Sequence, residues 1–139
     1  MRLSADLWKE ITTQLNGCLP EEGCGLIGGM GKVARMVFPV TNQLHSPVRF
    51  RMDAAEQLAG FLQVEAKGLD LIAIYHSHPT GPEFPSSTDL NEFAYPECAA
   101  IIVSMAENGW KARAFSMSPN EFKEIELVIE PEGSGFPAD

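Results

Sequence analysis

The chain is poor in basic residues. Ten Lys and Arg stand against nineteen Asp and Glu in 139 residues, a net charge of −9. Phosphate would be repelled and no basic stripe appears, so nucleic acid is excluded as a partner. Long apolar runs are missing too: none approaches the ~20 residues of a membrane span. The opening Met1-Arg2-Leu3-Ser4-Ala5-Asp6-Leu7 lacks the apolar core and cleavage site of a secretory signal. The expected location is therefore the cytoplasm. Cysteine is scarce: Cys18, Cys24 and Cys98 are odd in number and show no C-x-x-C spacing. This excludes a disulfide framework and leaves free, buried thiols as the expectation. It also removes the cysteine ligand pair of a zinc nucleoside deaminase.

What is present is ordinary for one globular domain: 45% hydrophobic and 21% charged residues, with no internal repeat, low-complexity tract or linker. Ser4 opens a helix that ends near Gly17 and carries Leu3, Leu7, Ile11 and Leu15 on one face. Residues 25–29 and 32–40 read as strands joined at Met30-Gly31. Asp53-x-x-Glu56 reads as a capping box for a second helix that stops at Gly68. A strand over 69–76, a short helix over 88–94, and strands over 99–104 and 110–117 follow, the last pair turning at Asn108-Gly109. Residues 124–130 suggest an edge strand, and 131–139, with two Gly and two Pro, a frayed tail. The expected architecture is α/β: a single-domain α/β/α sandwich with a mixed sheet over 1–130, the site lying at a sheet end.

Histidine is also scarce, and two of the three sit together in His76-Ser77-His78. The preceding Leu71-Ile72-Ala73-Ile74-Tyr75 is a strand-forming apolar run. In a strand, His76 and His78 point to one face. The loop that follows, with three prolines and one glycine, is a rigid return that brings Asp89 back to them. Two His and one Asp match a zinc site that keeps one tetrahedral position open for catalysis. Each half also has a structural reading: the histidines as the polar start of a loop, Ser86-x-x-Asp89 as a capping box. His45 has no partner at ligand spacing and reads as a surface residue.

His-x-His, ten residues, then Asp, with Ser three residues before the Asp, resembles the metal signature of the JAMM (MPN-plus) metalloproteases. Glu21-Glu22-Gly23-Cys24-Gly25-Leu26 is similar to the N-terminal block of compact prokaryotic members. A third block agrees: Asn42, Ser46-Pro47, Phe50 and Asp53. The resemblance spans roughly residues 1–117 and implies a cytidine-deaminase-like α/β/α fold. It implies that His76, His78 and Asp89 bind Zn2+, that Glu22 is the general base, and that Ser86 donates a hydrogen bond to the oxyanion. Glu21 is the rival base, separated from Glu22 only by the family spacing to Cys24-Gly25. One hydroxyl does not readily both cap a helix and serve catalysis, so Ser87 or Thr88 is the alternative cap.

The implied activity is peptidase or isopeptidase cleavage after the C-terminal glycines of a small β-grasp protein. A sulfur carrier is the first choice. Removal of a ubiquitin-like modifier from lysine is the alternative, and a non-catalytic MPN scaffold the minor one, since all five site residues are present. Oligomeric state is not legible.

Overall fold

The computed structural model of the chain describes residues 1–131. The elements run β1 (Arg2–Leu3), α1 (Ala5–Cys18), β2 (Cys24–Met30), β3 (Val33–Val40), α2 (Ala54–Ala66), β4 (Asp70–His78), α3 (Ser87–Glu92), β5 (Ala99–Ala106), β6 (Gly109–Ser118), β7 (Glu121–Ile125) and β8 (Val128–Ile129). The expected tail lies, from residue 132 on, outside the described residues. The strands form one sheet in the order β7-β6-β5-β4-β2-β3-β1-β8. The sheet is mixed: β4 pairs parallel with β5, and β1 parallel with β3 and β8, while the other pairs are antiparallel.

β7 and β8 occupy opposite edges, yet only Glu126 and Leu127 separate them. The three steps from Ile125 to Val128 reach at most ~10 Å, so the sheet must curl until its edges approach. Met1 closes the seam: its amino group donates to the Glu126 carbonyl at 2.8 Å and its carbonyl accepts from Val128 N–H at 2.9 Å. Ile11 and Leu15 of α1 pack in the curl against Ile27, Ala73, Tyr75 and Ile101, with Ile125, Leu127 and Ile129 closing over the same cluster. On the other face Leu26 and Ile74 meet Phe61 of α2. Ala100, Ile102 and Phe115 meet Leu90 of α3. Helices therefore cover both faces, as the α/β/α reading expects. β4 is central and is buried without a break from Ala73 to His78, the mark of a strand covered on both sides.

Three expectations are corrected. Leu3 belongs to β1 and not to the face of α1; Ser4 caps the helix, its hydroxyl accepting from Leu7 N–H. Asp53 caps α2, but Glu56 does not return the bond, because its carboxylate takes Thr41 N–H and Oγ instead. The single edge strand over 124–130 is two strands, β7 and β8, on opposite edges.

Gly25 stands opposite Tyr75 in the β2–β4 register. The Tyr75 ring crosses it so that the hydroxyl donates to Gln14 Oε1, while Gln14 Nε2 donates to the Cys24 carbonyl at 2.8 Å. A Cβ on Gly25 would lie 2.3 Å from the Tyr75 oxygen. Gly25→Ala should destabilise the protein by ~1–3 kcal/mol, the usual cost of overpacking. Gly17→Ala, helical and in open space, should stabilise it by ~0.5–1 kcal/mol. Denaturant midpoints of the two variants should move in opposite directions.

Candidate metal centre

Two elements aim the ligand candidates at one point. β4 ends on His76 and His78, which share the face covered by α2 and α3 and are both buried. α3 begins with a complete capping box: Ser86 Oγ accepts from Asp89 N–H at 3.0 Å, and Asp89 Oδ2 accepts from Ser86 N–H at 2.8 Å. That reciprocal pair turns the Asp89 carboxylate back onto the strand end. Its Oδ1 lies 3.2 Å from His76 Nε2 and its Oδ2 lies 3.1 Å from His78 Nε2. The two Nε2 atoms are 3.0 Å apart. The structure thus brings His76, His78 and Asp89 together as the sequence predicted.

The donor set fits a small divalent cation. Tetrahedral bonds of ~2.0–2.1 Å put neighbouring ligand atoms ~3.3 Å apart, close to the three separations here. His78 Nδ1 lies 2.7 Å from the Pro82 carbonyl, which can only accept. That nitrogen therefore carries the proton and Nε2 keeps its lone pair for a metal. The Phe50 ring stacks on His76 at 4.3 Å between centroids and fixes that imidazole. The charge balance asks for a cation. Burial pushes His76 down. Burial also lowers His78, but hydrogen bonds to Asp89 and the Pro82 carbonyl outweigh it and raise the group. Burial raises Asp89, while both imidazoles and Ser86 N–H outweigh it and hold the carboxyl well below the usual range.

Glu22 is the second carboxylate. One of its oxygens and the nitrogens of His76 and His78 all lie within 4.8 Å of one another, a looser grouping than the three above. Glu22 is 3% exposed and its Oε1 is buried with no hydrogen-bond partner. Burial pushes its carboxyl up to about 8, with His78 lowering it and Asp89 raising it further. Both backbone groups are held: N–H donates to the Ser46 carbonyl at 2.9 Å, and C=O accepts from Asn42 Nδ2 at 3.1 Å. Ser77 N–H and Oγ grip the neighbouring Gly23 at 2.9 and 2.8 Å. Glu21 faces outward and pairs with the exposed His45 at 3.1 Å.

Ser86 is the cap, so Ser87 and Thr88 are not. The expected conflict of tasks does not arise, however. In the cap Ser86 Oγ is an acceptor, and its own proton is left free for another partner. Two contributors escaped the sequence reading. Ser77 sat unremarked between the histidines. Asn42 was visible only as part of a weak block. Its amide fills all four of its bonds, adding the Arg49 carbonyl and the N–H groups of Leu44 and Arg51. It thereby ties loop 42–51 to Glu22. Beside His76 and Asp89 opens a cleft of about 460 Å3, walled by Phe50, Met52, Ile74, Phe93, Tyr95 and Met117. The three cysteines are free, and none belongs to the metal cluster.

Residues 4–117 match the family model for prokaryotic homologs of the JAB domain. The chain is 34% identical over 111 residues to a desampylase of Pyrococcus furiosus, covering 78% of this chain and 76% of that one. It is 31% identical over 104 residues to the CysO-cysteine peptidase of Mycobacterium tuberculosis, covering 73% and 71%. A solution structure of a protein from Desulfitobacterium hafniense superposes with a TM-score of 0.84 at 27% identity, covering 94% and 93%. A structure described as JAMM, a metalloprotease-like zinc site in the proteasome and signalosome, superposes at 0.59 and 21% identity, covering 94% and 98%; at that identity the likeness speaks for the fold.

Asn42→Ala removes every bond of the amide that frames Glu22. The buried Glu22 carbonyl loses its partner, at a cost of ~1–3 kcal/mol, while the other three groups are only partly buried. The variant should therefore lose ~1–3 kcal/mol in denaturant unfolding. Gln43→Ala, at the exposed neighbour, should change stability by less than ~0.5 kcal/mol.

Proposed function

We propose, for a chain that belongs to the family of prokaryotic JAB-domain homologues, zinc-dependent cleavage after the C-terminal glycines of a small β-grasp protein. Family membership makes the chain a hydrolase of the JAMM metalloprotease type, isopeptidase-like in class. The observation that carries the finer reading is the convergence of His76, His78 and Asp89 within 3.2 Å, with the buried Glu22 carboxylate beside them. The first reading of the substrate is a sulfur-carrier protein, supported by the CysO-cysteine peptidase relative. The second is a ubiquitin-like modifier joined to lysine, supported by the desampylase relative. A cytoplasmic location and a catalytic domain over residues 1–130 are part of the proposal. No helix among the described residues is long and apolar enough to cross a membrane.

In this reading His76 Nε2, His78 Nε2 and an Asp89 oxygen hold the ion. When bound, zinc supplies a Lewis acid and an acidified water. Glu22 accepts the proton of the attacking water and hands it to the departing amine. Burial raises this carboxyl and a cation beside it would draw it back down, and the two opposed effects suit a base that takes and returns a proton near neutral pH. Ser86 Oγ, its lone pair engaged by Asp89 N–H, directs its free proton to the oxyanion of the scissile carbonyl. Glu21, paired with His45, takes no part.

Purified protein should contain about one zinc per chain, as a single three-ligand site requires. Elemental analysis of a His76→Ala/His78→Ala double variant should find none, and zinc retained there in stoichiometric amount would end the assignment. Glu22→Ala should keep zinc and fold while losing at least ~10²-fold in rate. If Glu21→Ala shows that loss instead, the base is misassigned. Ser86→Ala separates its two tasks: losing the oxyanion donor should cut kcat by ~10²-fold, and losing the cap should cost ~1 kcal/mol. Steady-state hydrolysis and thermal midpoint, measured side by side, resolve them. Near-normal turnover with a lowered midpoint would leave Ser86 a cap only.

A further inference from the structure

The loop between His78 and Asp89 touches the metal centre at both ends and is gripped far from it in the middle. At the near end Gly81 N–H donates to the His78 carbonyl at 3.0 Å, and the Pro82 carbonyl accepts from His78 Nδ1 at 2.7 Å. At the far end Ser86 and Asp89 close the capping box. Between them, Glu83 and Phe84 reach across to β6 and β7. The Glu83 carboxylate lies 2.6 Å from Lys111 Nζ and 3.4 Å from Arg113 Nη1. The Phe84 ring lies 6.2 Å from Phe115 and 6.1 Å from Phe122, and the Arg113 guanidinium sits 4.8 Å over its face. Arg113 is itself fixed by a two-pronged pair with Glu124, at 2.9 and 3.1 Å.

We propose that Phe84 is a positioning residue for the metal centre, clamped by Phe115, Phe122 and Arg113 so that its loop holds Pro82 on His78 and Ser86 on Asp89. This rests on the reading of His76, His78 and Asp89 as ligands. The physical need is specific. The partner of His78 Nδ1 is a backbone carbonyl, so its place is set only by where the loop runs. Phe84 is 43% exposed, too open to serve mainly as core. Yet aromatic and cationic partners grip it on β6 and β7, two and three strands from β4 in the sheet order. The β6–β7 hairpin is thus a brace, and Phe84 is the bolt that joins it to the ligand loop.

The test is zinc affinity, read by competition of metal-free protein against a chromogenic chelator. Phe84→Ala should weaken zinc by ~10–100-fold, the usual loss when the groups that orient a ligand are disturbed. Its far-ultraviolet circular dichroism should stay unchanged. Phe84→Tyr, which keeps the ring, should stay within about threefold of the parent. The His78 Nδ1 proton, bonded to the Pro82 carbonyl, should be protected from exchange in the parent NMR spectrum and should exchange rapidly in Phe84→Ala. Should that variant not fold, Glu83→Gln serves: it loosens the loop from Lys111 and Arg113, keeps the ring, and should weaken zinc by a smaller factor. If the parent takes up no zinc, the ligand reading falls and the positioning role with it. If the parent binds zinc and the folded variants match it within about twofold, the ligand reading stands and the positioning role is wrong.

Discussion

Nitrogen and oxygen lone pairs from His76, His78 and Asp89 meet within 3.2 Å in a site largely closed to water. Such a cluster is costly to bury unless a positive charge sits in it. Much of the surrounding structure can be read as the means of holding it in that state. The central place of β4 presents both imidazoles from one face. The capping box of α3 turns the carboxylate inward. The Pro82 carbonyl fixes which nitrogen of His78 faces the centre. Hydrogen bonds to Asp89 and the Pro82 carbonyl raise His78 against its burial, and the two imidazoles with Ser86 N–H hold Asp89 down.

The site is economical in its use of groups. Ser86 closes a helix cap with its lone pairs and keeps its proton. Asp89 Oδ2 serves the same cap and faces His78. Glu22, by contrast, is held only through its backbone, by the Ser46 carbonyl and the Asn42 amide. Its Oε1 is left without a partner. A buried carboxyl oxygen in that condition is costly to the fold, and a site that has proton transfer to perform gives a reason to tolerate it. Loop 42–51 contributes twice: Asn42 frames Glu22, and Phe50 stacks on His76.

Much of this was legible in the sequence because short-range rules govern it. Strand period two put His76 and His78 on one face. The Ser86-x-x-Asp89 spacing marked a cap, and the same spacing carried the family resemblance. The curl was not legible. β1 and β8 are two residues each, too short for any period to register, and closure of the sheet is a matter of seam contacts such as those of Met1. Leu3 was misplaced for the same reason, since its spacing from Leu7 fits a helix face as well as a strand. Glu21 and Glu22 could not be told apart by pattern, because adjacent loop residues share no periodic face. The grip on Phe84 was hidden because its partners lie on strands brought near only by the sheet order.

The central claim is that the cation is held by two imidazoles and Asp89, with Glu22 beside it and not on it. A crystal structure of zinc-loaded protein, with anomalous data collected at the zinc edge, tests this most directly. The account predicts one strong peak at ~2.0–2.2 Å from His76 Nε2, His78 Nε2 and an Asp89 oxygen, with the Glu22 carboxylate outside bonding distance. A peak ligated by Glu22 in place of Asp89, or by Cys24, would contradict it.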